Sequence, residues 1–339
     1  MKKFSAILLG GLLFLLPLSA CGKKDDGSGL KTVKINEVTH SIFYAPLYLA
    51  DALGYFEEEN LKIELTNGGG ADSVMAAVLS EDSDVGFCGP EAALYVLAGG
   101  STDAPEVFGQ LTKKDGSFLV SRTPEPDFQW TDLQGKEILA GRKGGVPAMT
   151  FEYVLNGYQM YDGTDVNLNF DVAFNLMTSA FEGGTADYCT MFEPVASEYQ
   201  AAGKGYIVAS VGEASGDVPY TCFMAKKSWL NKYGDRADGL LRAITKATKY
   251  LTETPVETVA PYLVSYFEST PVSSIETAIE SYKAIDAWAT NMAMTEESFN
   301  RLQDIIENAG ELPKRVEFSK LVDTTRANAA YNAVYNQVR

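Results

Sequence analysis

The segment Lys136–Thr150, KEILAGRKGGVPAMT, has the residue types and spacing of a small-molecule binding turn. A short apolar run is followed by two cations and the pair Gly144-Gly145, and Pro147 then opens a run with helical spacing. Proline suits the first helical turn, and the glycines let the backbone approach a bound molecule closely. The first amides of a helix have no partner within it and carry partial positive charge, so this turn is suited to hold an anionic or polar group.

Three other turns repeat this order of strand, turn and helix-opening proline. They are Ala45-Pro46, Gly89-Pro90 and Glu193-Pro194, which follow predicted strands at residues 33–38, 84–87 and 186–189. In open α/β sheets, ligands bind beyond the carboxyl ends of the strands. We therefore predict that the four turns face one cleft and that the protein binds a small solute there.

The elements that must position these turns form two stretches in which strands and helices alternate. Residues 124–132 interrupt the first stretch, and the second begins at Lys136. Such alternation indicates an α/β fold of two units, each with a mostly parallel sheet and helices on both faces. From Ser228 onward only helical periodicity remains, which predicts a helical C-terminal region.

The apolar spacing predicts three helices in particular. One amphipathic helix is predicted from Ala45 to Phe56, with Gly54 near its end. A second helix is expected to direct Met75, Val78 and Leu79 toward the core. A further helix is predicted from Phe174 to Phe181 in the second stretch.

The composition is that of an ordinary globular protein, with 46% hydrophobic and 22% charged residues, and 339 residues suffice for two domains. The formal net charge of −17 argues against nucleic acid as a partner, because binding it requires clustered Lys and Arg. The same charge argues against docking on an anionic membrane through basic patches.

Residues 1–20 are typical of an export signal, since Lys2 and Lys3 precede an apolar run that extends to Leu18. The sequence Leu18-Ser-Ala-Cys21 resembles the bacterial lipobox, which implies cleavage before Cys21 and a lipid on its thiol. Residues 21–30 are then a short polar tether, and no later apolar run is long enough to span a bilayer. We expect an extracytoplasmic protein anchored to the outer face of the bacterial cell membrane by lipidated Cys21.

Four stretches of the chain resemble a family of solute-binding proteins of ATP-driven importers, the family that binds nitrate, sulfonates, taurine and thiamine pyrimidine precursors. They read APLYLADALGYFEEENLKIEL, DVGFCGPEA, DLQGKEILAGRKGG and FEPVASEYQAAGKG. The resemblance implies a type II periplasmic-binding-protein fold, in which two lobes close on a ligand like a Venus flytrap. It also implies delivery of the ligand to an ABC permease and its ATPase. We expect a monomer that uses no cofactor.

The resemblance further implies domain limits. Residues 31–122 would form the first part of lobe 1, residues 123–219 would form lobe 2, and residues 220–339 would return to lobe 1 and add the helical C-terminal region. The chain would cross between the lobes near Ser117–Arg122 and Tyr220–Ala225. Closure would be a hinge motion, driven by tighter binding of the ligand to the closed state.

We expect the ligand to contact the loops at the strand ends of both lobes. The candidates are Thr39, His40, Ser41, Phe43, Tyr44, Asp72, Cys88, Gly89, Glu91, Gln110 and Thr112 in lobe 1, and Lys143, Gly144, Gly145, Thr190, Phe192 and Glu193 in lobe 2. Several have a structural alternative. Phe43 and Tyr44 could cover the core, and His40 could lie in solvent. Glu91 and Glu193 lie at helix starts, where a carboxylate is stabilising without any ligand.

An anion such as an alkanesulfonate or taurine is one of two ligand classes that this cleft could hold. It would bind the unpaired amides of Gly144–Ala148 and Gly89–Glu91, with Lys113 or Lys143 supplying charge. A pair of carboxylates beside the Gly144–Ala148 turn would argue against this class, because an unpaired carboxylate next to a bound anion is costly.

A heteroaromatic amine is the other class, and the candidate residues favour it. Such a ligand would stack on the aromatic candidates and donate its N–H groups to Asp72, Glu91 or Glu193. Acidic residues outnumber basic ones among the candidates, so we expect a pyrimidine- or thiamine-precursor-like ligand.

An enzyme is the rival class of protein, because relatives of this fold synthesise the thiamine pyrimidine. The sequence has no G-x-S-x-G elbow, no metal-ligand spacing and a single histidine, so we expect neither catalysis nor a metal. Cys88, Cys189 and Cys222 are odd in number and are interpreted as small buried side chains. A ligand-sensing lipoprotein that signals to a partner remains a further alternative.

Overall fold

The structure, a computed structural model, describes residues 29–172 and 176–336 of the chain. The predicted export signal, Cys21 and the tether up to residue 28 lie outside the described residues, and so does Phe174, the predicted start of a helix. Within the described part, no helix is both long enough and apolar enough to cross a membrane.

Ten strands in this part of the chain form two sheets of five strands each. In chain order they are β1 Lys31–Glu37, β2 Leu61–Asn67, β3 Val85–Cys88, β4 Pro105–Thr112, β5 Ser117–Ser121, β6 Glu137–Leu139, β7 Asn167–Asn169, β8 Tyr188–Phe192, β9 Tyr206–Ser210 and β10 Thr221–Lys226. The first sheet has the order β2-β1-β3-β10-β4 and the second has the order β7-β6-β8-β5-β9.

Each sheet is parallel except for one strand. In the first sheet β10 runs antiparallel to β3 and β4, and in the second β5 runs antiparallel to β8 and β9. The chain changes sheet between β4 and β5 and again between β9 and β10, so each antiparallel strand follows one of these changes. The predicted α/β fold of two mostly parallel units is confirmed.

Helices connect the strands and form the region after β10. They are α1 Ala45–Ala52, α2 Tyr55–Glu58, α3 Ala71–Leu79, α4 Glu91–Ala98, α5 Val146–Gly157, α6 Met177–Glu182, α7 Val195–Ala201, α8 Val211–Ser215, α9 Lys227–Glu253, α10 Val256–Val259, α11 Val272–Ala284, α12 Glu296–Asn308, α13 Phe318–Leu321 and α14 Thr325–Tyr335. Short 3-10 helices cover Ile42–Tyr44, Trp130–Leu133 and Ala260–Leu263. The helical C-terminal region matches the prediction made from its periodicity.

Two predicted details are wrong. The segment expected to be one helix up to Phe56 divides at Gly54, whose φ of +72° favours glycine and separates α1 from α2. Leu79 does not face the core but is 39% exposed, because it is the last residue of α3 and adjoins exposed turn residues at 80–82. In the second unit, the helix near Phe181 begins at Met177 within the described residues.

Strand β5 joins the two halves of the core. Its residues Phe118 and Val120 belong to a large apolar cluster that includes side chains from both sheets, whereas Leu119 belongs to a separate cluster in the second sheet. Successive residues of a strand point to opposite faces, so one strand can serve both clusters. This packing holds the strand ends of the two sheets close to one another.

Candidate functional site

The turn after β1 carries Phe43 and Tyr44 into the interior between the two sheets, where both side chains are buried. Ser41 caps the short helix at its start, because its Oγ accepts a hydrogen bond of 3.2 Å from Phe43 N. On the other side, Trp288 Nε1 donates to the Phe43 carbonyl oxygen at 2.8 Å. The loop is therefore held from both sides, which fixes the position of the two rings.

Phe43 lies at the centre of an aromatic cluster, which we define as Phe43, Tyr44, Phe192, Tyr220 and Tyr282. The centroid of its ring lies 4.7 Å from that of Tyr282, 5.8 Å from that of Tyr220 and 6.2 Å from that of Phe192. These separations are typical of favourable aromatic pairs. Phe192 ends β8 in the second sheet, so the aromatic cluster connects the two sheets.

Glu91 brings a carboxyl group to the first-sheet side of this region, at the start of α4. Its carboxyl folds back over Gly89, where a Cβ would lie only 2.0 Å from Glu91 Oε2, so a larger residue there would displace the carboxyl group. Glu91 is buried, and its Oε2 has no hydrogen-bond partner among the residues described. Burial raises the pKa of Glu91 to about 7 against the opposing effect of a backbone N–H. Burial also raises the pKa of the nearby Tyr44, and the charge of Glu91 adds a smaller contribution.

The two links between the sheets, residues 113–116 and 216–220, run side by side. Tyr220 N donates to Thr112 O at 3.1 Å, which joins the end of the second link to the end of β4. Gly212 lies just before the second link and packs closely on the first link. A Cβ added at Gly212 would lie only 2.2 Å from Asp115 O. The links therefore form one packed unit between the sheets.

Asp115 places a second buried carboxyl group in the first link. Its Oδ1 accepts hydrogen bonds from Ser117 N at 2.7 Å and from Ser117 Oγ at 2.5 Å. Its Oδ2 and the Tyr220 hydroxyl make no hydrogen bond of good geometry in the described chain. The two groups nevertheless lie close enough to interact, which favours the ionised carboxylate. Burial dominates and raises the pKa of Asp115 to about 7.

Glu193, which follows Phe192, has a different environment. Ser197 of α7 donates to its carboxyl oxygens from Oγ at 2.7 Å and from N at 3.0 Å. The Glu193 backbone N–H donates to the Tyr282 hydroxyl at 3.1 Å. The carboxyl group thus holds the first turn of its own helix, and its backbone connects the second sheet to α11.

The outer part of the region between the sheets is polar and exposed. Arg142 Nη1 lies 3.2 Å from Asp72 Oδ1, which forms an ion pair between α3 and the turn after β6, with both side chains 67% exposed. Farther out, Asn156 Nδ2 donates to Asn308 Oδ1 at 3.1 Å. These contacts join the two halves of the molecule without burying charge.

A shallow depression adjoins the Gly144–Ala148 turn at the start of α5, where Gly145 N donates to Arg142 O at 3.2 Å. Its lining includes Lys143 together with the carboxylates Glu152 and Glu311. Both carboxylates lie beside the turn at which an anion was expected to bind if the ligand were of that class. Gly145, which precedes α5, adopts an extended conformation and is partly exposed.

His40 is engaged within the first-sheet half of the molecule. Its Nδ1 lies 2.9 Å from Glu37 Oε1, its Nε2 lies 2.9 Å from Tyr266 O, and its ring stacks on that of Phe267 at 4.7 Å. The hydrogen bond with Glu37 raises the pKa of His40. The histidine therefore has polar partners on both sides of its ring.

The remaining candidates from the sequence lie at or near the strand ends. Gln110 Nε2 donates to Thr112 O at 3.2 Å, and Thr190 Oγ1 donates to Leu139 O at 3.4 Å. Thr39 precedes His40 in the same turn and is partly exposed. Cys88 is a free buried thiol, as are Cys189 and Cys222, and burial raises the pKa of each.

The buried ionisable groups of acidic and basic residues in the described chain are all carboxyl groups. The described residues with buried carboxyl groups are Glu37, Glu91, Asp115 and Glu193, and no Lys, Arg or His of the described chain is buried. Lys113, expected as a possible anion ligand, instead pairs with Asp286 at 2.5 Å. Within residues 29–172 and 176–336, no group of His, Cys, Asp or Glu could hold a metal ion. The interior can accept N–H groups but offers no buried cation to an anion.

Sequence reasoning did not identify Asp115, Tyr220 and Tyr282. Asp115 belongs to the stretch Lys-Lys-Asp-Gly-Ser, which is typical of an exposed turn, and Tyr282 fits the apolar period of a C-terminal helix. The position of the Asp-Gly pair just before the crossover predicted near Ser117–Arg122 was the one available signal. The burial of Asp115 depends on residues about a hundred positions away in the sequence.

Comparisons with known proteins place this geometry in context. A family model described as NMT1/THI5 like matches residues 42–258. The chain is 40% identical over 315 residues to YtlA of Bacillus subtilis (strain 168), which is named as a candidate binding protein, and the match covers 93% of each chain. It is 22% identical over 249 residues to the 4-amino-5-hydroxymethyl-2-methylpyrimidine phosphate synthase of Schizosaccharomyces pombe (strain 972 / ATCC 24843), covering 69% of this chain and 70% of that protein.

Among solved structures, the fold is similar to that of the alkanesulfonate-binding protein SsuA from Xanthomonas axonopodis pv. citri bound to MOPS. The TM-score is 0.68 at 18% identity, and the match covers 86% of this chain and 98% of that chain. At this identity the likeness shows the fold alone. It confirms the predicted periplasmic-binding-protein-like architecture of two α/β halves.

Proposed function

The chain belongs to the NMT1/THI5-like family, and from that premise we propose that it is the extracytoplasmic substrate-binding protein of an ABC importer and that it captures a pyrimidine-like heteroaromatic amine. The ligand would lie between the two sheets, against the aromatic cluster. The observation that carries this proposal is the meeting of these rings with buried carboxyl groups in a region that, among the described residues, contains no buried cation.

The aromatic cluster supports a flat, apolar ligand. Phe43 comes from the first sheet and Phe192 from the second, and their centroids lie 6.2 Å apart. A planar heterocycle that enters between the sheets could stack on either ring and bury apolar area that neither sheet covers alone. Such a ligand would bind the closed arrangement better than an open one, which is the requirement for capture.

The buried carboxyl groups support a ligand that donates hydrogen bonds. Glu91 Oε2 and Asp115 Oδ2 have no partner among the described residues, and an unpaired buried oxygen costs free energy. An N–H group on the ligand would satisfy either oxygen and favour its ionised form. A sulfonate or nitrate in the same place would face two carboxylates without a buried cation to compensate.

The surroundings of the Gly144–Ala148 turn support the same choice. Glu152 and Glu311 lie beside the turn together with Lys143, which is the carboxylate pair that argues against a sulfonate there. The similarity to a synthase named for 4-amino-5-hydroxymethyl-2-methylpyrimidine phosphate adds weight to an aminopyrimidine. We therefore propose this chemical class rather than an anion.

The anion hypothesis retains two observations in its favour. The first turn of α5 presents unpaired amides close to Lys143, and a protein of the same fold is known as an alkanesulfonate-binding protein. An anion bound there would lie in the exposed outer part of the region rather than against the aromatic cluster. The two hypotheses therefore predict different positions for the ligand.

We propose binding rather than catalysis. The relative that matches 93% of the chain at 40% identity is named as a candidate binding protein, whereas the synthase matches 69% of it at 22%. Cys21, with the lipid that the sequence predicts, would anchor the protein at the membrane beside its permease. Capture and delivery of a solute follow from that position.

A thermal-shift comparison tests the proposed ligand class. The full chain would be heated with 4-amino-5-hydroxymethyl-2-methylpyrimidine, with taurine and with an alkanesulfonate, each at the same concentration. A ligand at a hundred times its dissociation constant raises the free energy of unfolding by about 2.7 kcal/mol, so we expect a clear rise in Tm with the pyrimidine. A rise with taurine or the sulfonate, and none with the pyrimidine, would contradict the proposal.

A further inference from the structure

We propose that Asp115 and Tyr220 form a hydrogen-bonding seat for the amino edge of the ligand, located where the two links between the sheets meet. The seat would accept an N–H group and donate to a neighbouring ring nitrogen of an amine-bearing heterocycle. This inference rests on the proposed function, because it names the part of the cleft that recognises the amine.

The first argument for the seat is that its polar atoms are buried without hydrogen bonds of good geometry. Asp115 is fully buried and Tyr220 is 5% exposed. The two groups lie close enough to interact with each other, yet neither Asp115 Oδ2 nor the Tyr220 hydroxyl makes a hydrogen bond of good geometry in the described chain. Thr112 Oγ1, at the end of β4 to which Tyr220 is hydrogen-bonded, is also buried without a partner. Buried polar atoms of folded proteins are nearly always paired, so several unpaired atoms at one place indicate an absent partner molecule.

The chemistry of the two groups defines what that partner offers. Asp115 Oδ1 is already occupied by Ser117, so only Oδ2 is available, and it accepts a hydrogen bond when the carboxyl is ionised. The Tyr220 hydroxyl can donate as well as accept. One acceptor beside one donor matches an amino group next to a ring nitrogen, which is the edge that a 4-aminopyrimidine presents.

The third argument is that the seat lies next to the aromatic cluster. The Tyr220 ring lies 5.8 Å from Phe43 and 6.4 Å from Phe192, centroid to centroid, so the seat adjoins the rings on which a heterocycle would stack. Close packing of Gly212 on the backbone of Asp115 holds the carboxyl in place. A ligand with its ring on the aromatic cluster could therefore reach the seat with its edge.

Each half of the seat comes from a different link between the sheets. Asp115 belongs to residues 113–116 and Tyr220 to residues 216–220, and the segments are joined by the hydrogen bond from Tyr220 N to Thr112 O. A ligand bound to both side chains would contact the two links at once. Recognition of the amine and stabilisation of the closed arrangement would then depend on the same two groups.

Calorimetric titration of the full chain tests the seat with two probes. The first is 4-amino-5-hydroxymethyl-2-methylpyrimidine, and the second is the same compound with hydrogen in place of the amino group. The variants are Asp115→Asn, which can still accept from Ser117, and Tyr220→Phe. The matched control is Asp217→Asn, because Asp217 lies on the second link but pairs with Lys114 at 2.8 Å and is half exposed.

We expect Asp115→Asn to weaken binding of the amino probe about tenfold, as loss of a hydrogen bond to a charged group predicts. Tyr220→Phe should weaken it about threefold, and Asp217→Asn should leave it within about twofold. Binding of the probe without the amino group should change less than about twofold with Asp115→Asn and Asp217→Asn. Tyr220→Phe should weaken both probes alike, because both carry the ring nitrogen to which Tyr220 would donate. Circular dichroism on heating would confirm that each variant is folded. If Asp115→Asn is not folded, binding of the amino probe by Tyr220→Phe decides the outcome.

Two results would overturn the seat while leaving the proposed function intact. The first is tight binding of the amino probe to the wild-type protein with no loss in either variant. The second is an equal loss for both probes with Asp115→Asn, which would indicate a structural rather than a recognition role. Failure of the wild-type protein to bind either probe would overturn the proposed ligand class, and the seat with it.

Discussion

Two turns that look alike in sequence put buried carboxyl groups into opposite environments. Glu193 precedes the proline of its turn, and from there its carboxyl reaches forward to Ser197 N and Oγ at 3.0 and 2.7 Å. Glu91 follows the proline of its turn, so its carboxyl folds back over Gly89 and leaves Oε2 without a partner in the described chain. The comparison indicates that one carboxyl group holds a helix while the other is available to a ligand.

The largest effect that would separate the two turns is on stability. Glu193→Ala removes both hydrogen bonds to Ser197 from a buried site, so we expect the free energy of unfolding to fall by about 2 kcal/mol. Glu91→Gln replaces a buried carboxyl that has an unpaired oxygen, and we expect no loss of stability. Urea denaturation of the two variants beside the wild-type protein measures the difference. Equal destabilisation by both changes would mean that the turns do not differ in this way.

The next largest effect is on ligand affinity, for which we expect Glu91 to matter more than Glu193. Glu91→Gln should weaken binding of 4-amino-5-hydroxymethyl-2-methylpyrimidine about tenfold, because the amide cannot offer a charged acceptor to the ligand. Glu193→Gln, the matched control, should change the dissociation constant less than about threefold, since its carboxyl is already occupied by Ser197. Isothermal titration calorimetry checks both values. A greater loss with Glu193→Gln would restore Glu193 as the main acidic ligand-binding residue.

A pH effect of intermediate size would sharpen the comparison. Burial raises the pKa of Glu91 and of Asp115 to about 7, and an N–H donor prefers their ionised forms. Binding must then release protons below pH 7, so affinity for a probe that does not itself titrate should rise about fivefold from pH 6 to pH 8. The double variant Glu91→Gln, Asp115→Asn should show no such rise. Affinity that falls with increasing pH would mean that the probe binds the protonated carboxyl groups, which contradicts their role as acceptors.

The smallest effect concerns the outer ion pair. Arg142 and Asp72 join the two halves of the molecule, but both side chains are two-thirds exposed. Exposed pairs contribute little, so Arg142→Ala should lower the free energy of unfolding by less than about 0.5 kcal/mol. It should change ligand affinity less than about twofold, as measured by the same titration. A loss comparable to that of Glu91→Gln would move the binding site outward, toward the Gly144–Ala148 turn.

Local chemistry allowed much of the fold to be predicted from the sequence. Helix starts are marked by Pro46, Pro90, Pro147 and Pro194, because proline lacks a backbone N–H and the first helical turn does not need that donor. The alternation of strands and helices indicated two α/β units, which the strand orders of the two sheets confirm. Signals of this kind act within a few residues, so they can be recognised without the tertiary structure.

The environments of the carboxyl groups could not be predicted in this way. An acidic residue at a helix start is stabilising with or without a ligand, so the sequence did not distinguish the roles of Glu91 and Glu193. Asp115 resembles an ordinary turn residue until the return of β10 beside β4 buries it next to Tyr220. Those contacts depend on strand pairing over a long sequence separation, which no local pattern records.

A crystal structure of the full chain with 4-amino-5-hydroxymethyl-2-methylpyrimidine tests the central proposal most directly. The proposal predicts the ring between the two sheets, stacked on Phe43 or Phe192, with N–H groups within about 3 Å of Glu91 Oε2 or Asp115 Oδ2. A ligand found instead on the amides of Gly144–Ala148, remote from the aromatic cluster and from both carboxyl groups, would contradict it.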